Sequence, residues 1–386
     1  MTASAPRRLL MTADTVGGVW TYALELVTAL AAYDVEVHLA TMGRPLDAHQ
    51  RRAVAGTPVA GVHESTFALE WMADPWSEVD AAGEWLLDLE AQLRPEVVHL
   101  NGYAHAALPW HAPTVVVAHS CVLSWWQAVH GVDAPAEWDS YRRRVTEGLF
   151  AATAVVAPTQ AMLAALSRCY GYGGGTVVLN GRTAPPDATG ADKEQLIVGT
   201  GRVWDEAKNL RRLAADAPRL PWPVVIAGDP HPPGVVARGA PARAPDASHV
   251  PEPAASLVGV LPAAELSALL SRAAVYVAPA RYEPFGLGVL EAAQAGCALV
   301  LGDIPSLREL WGDAACYVDP ASSDELVATV QTLVQCPERL QSAGRAARSR
   351  ATAYTPERMA AGYLEVYQAL PRAPLSTAGA AAGGPA

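Results

Sequence analysis

Short apolar runs alternate with helical patterns along the first half of the chain. Apolar runs that end at small or turn-forming residues predict buried strands at residues 8–12, 35–41, 97–100, 114–118 and 154–157. Between them, apolar residues at spacings of three and four predict helices at residues 19–32, 77–93, 137–151 and 160–169. This alternation predicts a parallel sheet with right-handed helical crossovers that cover both of its faces.

The second half of the chain repeats this alternation after a polar break. The break begins after Asn180 and Gly181, and we interpret residues 182–195 as a linker. Further strands are predicted at residues 197–200, 223–227, 256–260, 275–278, 298–301 and 316–318. The sequence therefore predicts an α/β protein with two doubly wound Rossmann-like domains, residues 1–181 and 196–354, which face each other across a ligand-binding cleft.

Three segments lie outside this alternation. Residues 229–253 are rich in proline and predict an irregular surface excursion. The amphipathic stretch at residues 355–370 predicts a final helix, which we expect to pack back on the first domain. Residues 371–386 are of low complexity, and we expect this tail to be disordered.

Composition and charge exclude several classes of protein. Hydrophobic residues make up 51% of the 386 residues and charged residues 17%, which excludes a wholly disordered chain. The net charge is -11 and the longest basic run is Arg142 to Arg144, so the sequence speaks against a nucleic-acid partner or stable membrane insertion. Five scattered cysteines without metal-ligand spacing predict no metal site. We expect a cytoplasmic protein.

A Gly-Gly turn follows the first predicted strand. Gly17 and Gly18 lie between that strand and the next helix, where backbone amides can approach an anion at the helix N-terminus. The same two glycines could equally serve only to make a tight turn.

Two cations follow the first strand of the second domain. Arg202 and Lys208 combine a planar fork with a point charge, and together they would form an anion clamp. Of the 28 basic residues only Lys193 and Lys208 are lysines. A lysine at a helix start is opposed by the helix dipole, so its position favours a binding role over a solvated surface charge.

Two glutamates eight positions apart mark the stretch from Arg281 to Gly296. Pro284 and Gly286 hold Glu283 in a loop, whereas Glu291 lies in a helix that is apolar on nearly all sides. The backbone amides of Phe285, Gly286 and Leu287 would face the same anion as the two cations. A buried acid needs a partner, and a ribose diol would supply one.

These motifs together resemble retaining nucleotide-sugar glycosyltransferases of the GT-B architecture, specifically glycosyltransferase family 4. The resemblance covers roughly residues 8–370 and depends most on YEPFGLGVLEAAQAG and on GRVWDEAKN. It implies that Gly17 and Gly18 lie near the donor diphosphate. It also implies that Arg202 and Lys208 bind its phosphates, Glu283 the transferred sugar and Glu291 the ribose. The family often has Glu-Gly-Phe-Gly where this chain has Pro284, which lacks an amide proton.

The first domain supplies candidates for catalysis and acceptor binding. His119 ends a predicted strand at the place where the family has a histidine close to the reacting sugar; a histidine that caps the next turn is the alternative. Further candidates for the acceptor site follow two strands, with Trp125 and Trp126 placed in a loop that faces the cleft: Asn101, Tyr103, His105, Trp125 and Trp126. His99 lies within an apolar run and is interpreted as a core residue.

The resemblance implies transfer of a sugar from a nucleotide diphosphate sugar to an acceptor hydroxyl, with retention of anomeric configuration. It requires no cofactor or metal, and the chain has no Asp-x-Asp signature. The first domain has ten Arg and no Lys before Asn180, against more acidic residues, which favours a small, soluble or saccharide acceptor over a lipid-linked one. Two alternatives stay open, a nucleotide-sugar epimerase of the same fold and a non-catalytic regulator that binds nucleotide sugars. The sequence leaves the base, the sugar, the acceptor and the oligomeric state undetermined.

Overall fold

The computed structural model describes residues 5–185, 193–231 and 255–371. The first half of this range contains seven strands: β1 (Arg8–Asp14), β2 (Glu36–Met42), β3 (Gly61–Glu64), β4 (Val97–Leu100), β5 (Thr114–Val117), β6 (Ala154–Ala157) and β7 (Thr176–Val177). Its helices are α1 (Gly18–Ala31), α2 (Ala48–Ala55), α3 (Trp76–Leu93), α4 (Val122–His130), α5 (Asp139–Ala151) and α6 (Gln160–Tyr170).

The second half contains a further six strands: β8 (Glu194–Thr200), β9 (Val224–Ala227), β10 (Ala255–Gly259), β11 (Ala273–Ala278), β12 (Ala298–Gly302) and β13 (Cys316–Val318). Its helices are α7 (Leu210–Asp216), α8 (Ala263–Arg272), α9 (Leu287–Gln294), α10 (Pro305–Trp311), α11 (Ser323–Val334), α12 (Pro337–Ala351) and α13 (Pro356–Ala369).

The strands form two parallel sheets. The first has the order β3-β2-β1-β4-β5-β6-β7, and the second has the order β10-β9-β8-β11-β12-β13. In each sheet the order reverses between two central strands, β1 and β4 in one and β8 and β11 in the other. Ligands of doubly wound sheets bind outside the carboxyl ends of the strands at this reversal. The prediction of two Rossmann-like domains in a GT-B arrangement is confirmed.

The last helix of the described chain returns to the first sheet. Met359, Tyr363 and Tyr367 of α13 lie in the same buried cluster as Leu26 and Leu30 of α1. The apolar face of α13 is thus covered by the first half of the chain, although the helix follows the second half in sequence. The chain crosses between the two halves twice as a result.

Four elements of the first half were not predicted. Helix α2 buries none of its residues and β3 is an edge strand without a fully buried residue, so neither has the apolar pattern by which the others were found. Strand β7 has only two residues, which is too short to show an apolar pattern. Helix α4 begins after Cys121, whose Sγ accepts the amide hydrogen of Ser124 as an N-cap. The prediction that Trp125 and Trp126 lie in a loop was therefore wrong, because both belong to α4.

The first strand of the second half begins earlier than predicted. Strand β8 begins at Glu194, inside the segment interpreted as the linker. The rest of that segment lies partly outside the described residues, at 186–192, as do most of the proline-rich excursion at 232–254 and the tail at 372–386. Among the helices of the described ranges, none is both long enough and apolar enough to span a bilayer.

Candidate active site

The cleft between the two sheets brings together the glycines of the first turn and the start of α9. A Cβ atom placed on Gly17 would lie 3.3 Å from Nη1 of Arg202, and one on Gly18 would lie 3.6 Å from Cδ1 of Leu287. Gly17 has a φ of 96°, a conformation that favours glycine. The Gly-Gly turn therefore lies directly against the proposed anion clamp and the N-terminus of α9.

Asp205 holds Arg202 in this cleft. Its Oδ2 accepts a 2.6 Å hydrogen bond from Nη2 of Arg202, while its Oδ1 accepts from Trp125 Nε1 at 3.0 Å and from the Ala207 amide at 3.0 Å. Burial alone would raise the pKa of Asp205, but the charge of Arg202 and these donors hold it below its usual range. Arg202 is thus oriented by an ionised carboxylate that is itself fixed from both domains.

Lys208 and Glu283 form an ion pair in the same cleft. Lys208 Nζ donates to Glu283 Oε2, and both side chains are largely buried. The loop that carries Glu283 is attached to the first domain on each side: the hydroxyl of Tyr282 accepts the Cys121 amide hydrogen at 3.2 Å, and the carbonyl oxygen of Pro284 accepts from Thr159 Oγ1 at 3.0 Å. These contacts fix a carboxylate beside the two cations.

The amide-rich start of α9 completes this group. Gly286 precedes the helix in the left-handed region, with a φ of 89°, and Phe285 is buried beneath the turn. The first amides of a helix have no partner within the helix and favour an anion. Pro284 contributes no amide here, and its carbonyl is occupied by Thr159. Arg202, Lys208 and the start of α9 together make a site suited to a strongly charged anion such as a diphosphate.

Glu291 has a protein partner that sequence reasoning missed. Its Oε1 accepts a 2.8 Å hydrogen bond from Nε of Arg182, and Nη1 of the same arginine donates to Glu25 Oε1 at 2.5 Å. The second oxygen of Glu291 accepts no hydrogen bond from any residue that the structure describes. Arg182 therefore provides a hydrogen-bond partner for one oxygen of Glu291, the acid that was expected to need a ribose. The other oxygen is left for a ligand.

His119 lies at the carboxyl end of β5 with its ring in a fixed orientation. Asn101 Nδ2 donates to the Thr12 carbonyl at 2.6 Å, so Asn101 Oδ1 is the atom that accepts from His119 Nε2 at 2.8 Å. Burial lowers the pKa of His119 to about 3, so the ring is neutral at physiological pH. Its Nδ1 then carries a lone pair, which suits it to accept a hydrogen bond from a hydroxyl.

The other predicted acceptor residues are placed differently. Tyr103 is buried and donates its hydroxyl to the Ser120 carbonyl at 2.8 Å, and His105 is buried with Nε2 2.9 Å from the Val79 carbonyl. Trp125 is bonded to Asp205, and Trp126 packs against His130 with ring centroids 4.6 Å apart. Of the five candidates, only Asn101 and His105 line the pocket described next. His99 is fully buried, between the hydroxyls of Tyr22 and Tyr367.

A pocket at the ends of β1 and β4 contains an acid that sequence analysis did not select. Thr12, Asp14, Trp71 and Asn101 are among its lining residues. Burial raises the pKa of Asp14 to about 7, although the Val16 amide and the charge of Arg202 oppose this shift. Asp14 could have been found from the sequence, because it is an acid at the end of an otherwise apolar strand. Trp71, which precedes α3 in an irregular segment, gave no such signal.

The raised pKa of Asp14 predicts a pH-dependent stability. Below about pH 4 the carboxyl is protonated in both the folded and the unfolded chain, whereas between about pH 4 and pH 7 only the unfolded chain ionises. Rising pH therefore favours unfolding, by an amount on the order of 4 kcal/mol, and the loss is complete above about pH 7. Asp14→Asn should lose this dependence because a carboxamide does not ionise, and its oxygen can still accept the Val16 amide hydrogen.

Denaturant unfolding of both proteins across this pH range measures the effect. We expect the curves to converge at the acidic end and the variant to be the more stable protein at neutral pH. Parallel stability profiles for the two proteins would contradict the assignment of a raised pKa to Asp14.

Two family models match the chain in succession. The model described as Glycosyltransferase Family 4 matches residues 16–182, and the model described as Glycosyl transferases group 1 matches residues 194–336. The two matches together cover most of the chain and meet at the break between the two sheets. Among the residues that the structure describes, no three His, Cys, Asp or Glu side chains are grouped so that they could hold a metal ion.

Curated relatives match over a shorter stretch. A glycogen synthase of Mycobacterium tuberculosis is 39% identical over 122 residues, which is 31% of this chain and 30% of the relative. The MMP alpha-(1->4)-mannosyltransferase of Mycolicibacterium hassiacum is 35% identical over 108 residues, 27% of this chain and 26% of the relative. The chain thus matches less than a third of the length of these relatives.

Solved structures match over nearly the whole chain. Sucrose-phosphate synthase from Thermosynechococcus elongatus has a TM-score of 0.73 at 17% identity, covering 94% of this chain and 98% of that one. Anabaena HepE, solved in complex with UDP-glucose, has a TM-score of 0.71 at 14% identity, covering 94% of this chain and 100% of that one. At these identities the similarity establishes the fold that the two proteins share with this chain.

Proposed function

Because the chain belongs to the glycosyltransferases of family 4 and group 1, we propose that it transfers a sugar from a nucleotide diphosphate sugar to an acceptor hydroxyl with retention of anomeric configuration. One observation supports this most strongly. Arg202 and the start of α9 lie against the Gly-Gly turn of the opposite domain, and Lys208 is paired with Glu283 in the loop that leads into α9, where a diphosphate would be held. Because HepE was solved in complex with UDP-glucose, UDP-glucose is the first donor to test.

The proposed chemistry is mainly electrostatic. As the bond between the sugar and the diphosphate lengthens, negative charge grows on the leaving phosphate and the sugar becomes oxocarbenium-like. Arg202 and Lys208 would stabilise the leaving phosphate, because preorganised charges cost no reorganisation when the charge develops. The Asp205 carboxylate supplies this preorganisation for Arg202. These residues act on the leaving group and need no metal.

Retention is proposed to follow from attack on the front face of the sugar. The leaving phosphate oxygen would accept the proton of the acceptor hydroxyl, so no enzyme nucleophile is required. Glu283 would orient the transferred sugar by binding the hydroxyls of that sugar. Lys208 would then interact with the diphosphate as well as with Glu283. The neutral His119 would position the same sugar by accepting a hydroxyl hydrogen at Nδ1.

The acceptor is proposed to be a small soluble molecule or saccharide that enters from the first domain. The pocket beside Asp14 and Trp71 offers a hydroxyl-binding acid and an aromatic ring, which are the groups that commonly hold sugars. Because Trp125 is hydrogen-bonded to Asp205, we propose that Trp71 rather than Trp125 makes the aromatic contact with the acceptor. Because a soluble acceptor of this kind fits a cytoplasmic location, we propose that location as well. Activity that requires a lipid-linked acceptor, or robust sedimentation with anionic liposomes, would contradict it.

Release of nucleoside diphosphate tests the proposed reaction. The protein is incubated with each of several nucleotide sugars, with and without candidate acceptors, and free nucleoside diphosphate is measured. We expect release that depends on both donor and acceptor. Conversion of the donor without any acceptor would favour an epimerase, and binding without turnover would favour a regulatory protein.

Replacing Glu291 by glutamine is expected to affect donor affinity more than turnover. A ribose contact is made equally in the ground state and the transition state, so its loss raises the Michaelis constant for the donor. We expect an increase of about tenfold, with a smaller change in turnover, as for a hydrogen bond lost from a charged group. Steady-state kinetics with a verified donor measure both. A fall in turnover at unchanged donor affinity would refute the ribose assignment.

A further inference from the structure

Arg182 connects three parts of the molecule that the proposed reaction must coordinate. It lies just after the last strand of the first half, and its guanidinium bonds to Glu25 of α1 at 2.5 Å and to Glu291 of α9 at 2.8 Å. Neighbouring contacts fix the same segment: Thr183 Oγ1 donates to Glu25 at 2.7 Å, and Gln294 Nε2 donates to the Arg182 carbonyl at 2.7 Å. This acid-arginine-acid group therefore joins α1, the inter-domain segment and α9.

We infer that Arg182 is a positioning residue for recognition of the donor ribose, which it aligns through Glu291. The inference depends on the proposed function, because it assigns a role in binding the same nucleotide sugar. Arg182 holds Oε1 of Glu291 and leaves Oε2 for the ribose diol. Glu25 accepts from Nη1 of the same guanidinium, so the position of Glu291 is set from the first domain.

Burial makes this arrangement effective. The side chains of Arg182, Glu25 and Glu291 are only 25%, 11% and 18% exposed, so water screens their interaction weakly. Burial by itself would lower the pKa of Arg182, but the two carboxylates raise it and the guanidinium remains charged. Without this cation, two buried acids would lie close together with no compensating charge, and Glu291 would lose its defined rotamer.

The geometry requires an arginine. One edge of the guanidinium, at Nε, bonds to Glu291, while Nη1 bonds to Glu25. A lysine has the same charge but presents it at a single point, so it could not hold both carboxylates in these positions. Arg182→Lys therefore separates the contribution of charge from that of the planar fork.

The test measures ribose recognition directly. Binding of UDP, ADP and GDP is compared by calorimetry with binding of their 2′-deoxy counterparts, and the pair that binds the unmodified protein is used. We expect the unmodified protein to prefer the ribose form by about tenfold, the value of one hydrogen bond to a charged group. Arg182→Gln should reduce this preference to near unity, and Arg182→Lys should reduce it at least about threefold.

Arg272→Gln provides the matched control. Arg272 also bonds to a glutamate, Glu194, but at an exposed site beside the first residue of β8, so its removal should leave the ribose preference close to that of the unmodified protein. Retention of the full preference in either Arg182 variant would overturn the inference, and so would its loss in Arg272→Gln. Failure of the unmodified protein to bind any nucleoside diphosphate would instead contradict the proposed function. If Arg182→Gln does not fold, Arg182→Lys decides the question.

Discussion

Replacing Lys208 by alanine is expected to lower turnover about a hundredfold or more, which is the loss typical of one preorganised charge stabiliser. The ammonium lies beside Glu283 and the start of α9, where negative charge would develop on the leaving diphosphate. Thermal denaturation of the variant separates a loss of turnover from a loss of stability, because removal of the ammonium leaves the largely buried carboxylate of Glu283 without this partner. Single-turnover rates with a verified donor and acceptor measure the effect.

Arg345→Ala is the control for this variant. Arg345 is an exposed cation on α12, and its removal should leave turnover within about twofold, as expected for a surface charge outside the cleft. A near-normal rate in Lys208→Ala, measured with the same donor, would show that Lys208 is not part of the clamp.

Gly228→Ala is expected to destabilise the protein by about 3 kcal/mol or more. Gly228 follows β9 with a φ of 147°, and a Cβ there would lie 1.7 Å from the carbonyl oxygen of Gly201. Because both contacting groups are backbone, the clash can be relieved only by moving the end of β9 or the end of β8, which leads to Arg202. Donor affinity should fall together with stability.

Denaturant unfolding compares Gly228→Ala with Gly173→Ala. A Cβ on Gly173 meets no atom within 4 Å, so that variant should differ from the unmodified protein by less than about 0.5 kcal/mol. Equal stability of the two variants would mean that the close approach of Gly228 to Gly201 does not exist in solution.

The sequence predicted the elements that are buried on both faces. Strands β4 and β6 have the predicted bounds, because a parallel strand covered by helices is a continuous apolar run. The motif residues Gly17, Arg202, Lys208 and Glu283 were also selected from sequence, and the structure places them around one cleft. Each of them follows a strand or precedes a helix, so their positions depend on local signals.

Partners that come from distant segments could not be predicted. Asp205 was visible only as one acid among many, and its contact with Trp125 depends on how the two domains face each other. Arg182 lay in a segment interpreted as linker, so nothing in its sequence neighbourhood indicated a bond to Glu291. Trp125 and Trp126 were misplaced because their helix is only 9 residues long and is capped by Cys121, which is not one of the residue types typical of an N-cap. These are consequences of tertiary contacts, which periodicity does not encode.

Sugar transfer with retained configuration is the central feature of the proposed function. Proton NMR of a reaction in progress, with donor and acceptor both present, reports the product and its anomeric coupling in one measurement. We expect the first product to be a glycosylated acceptor with the anomeric configuration of the donor. A first product of inverted configuration, or free sugar with no glycosylated acceptor, would contradict the account.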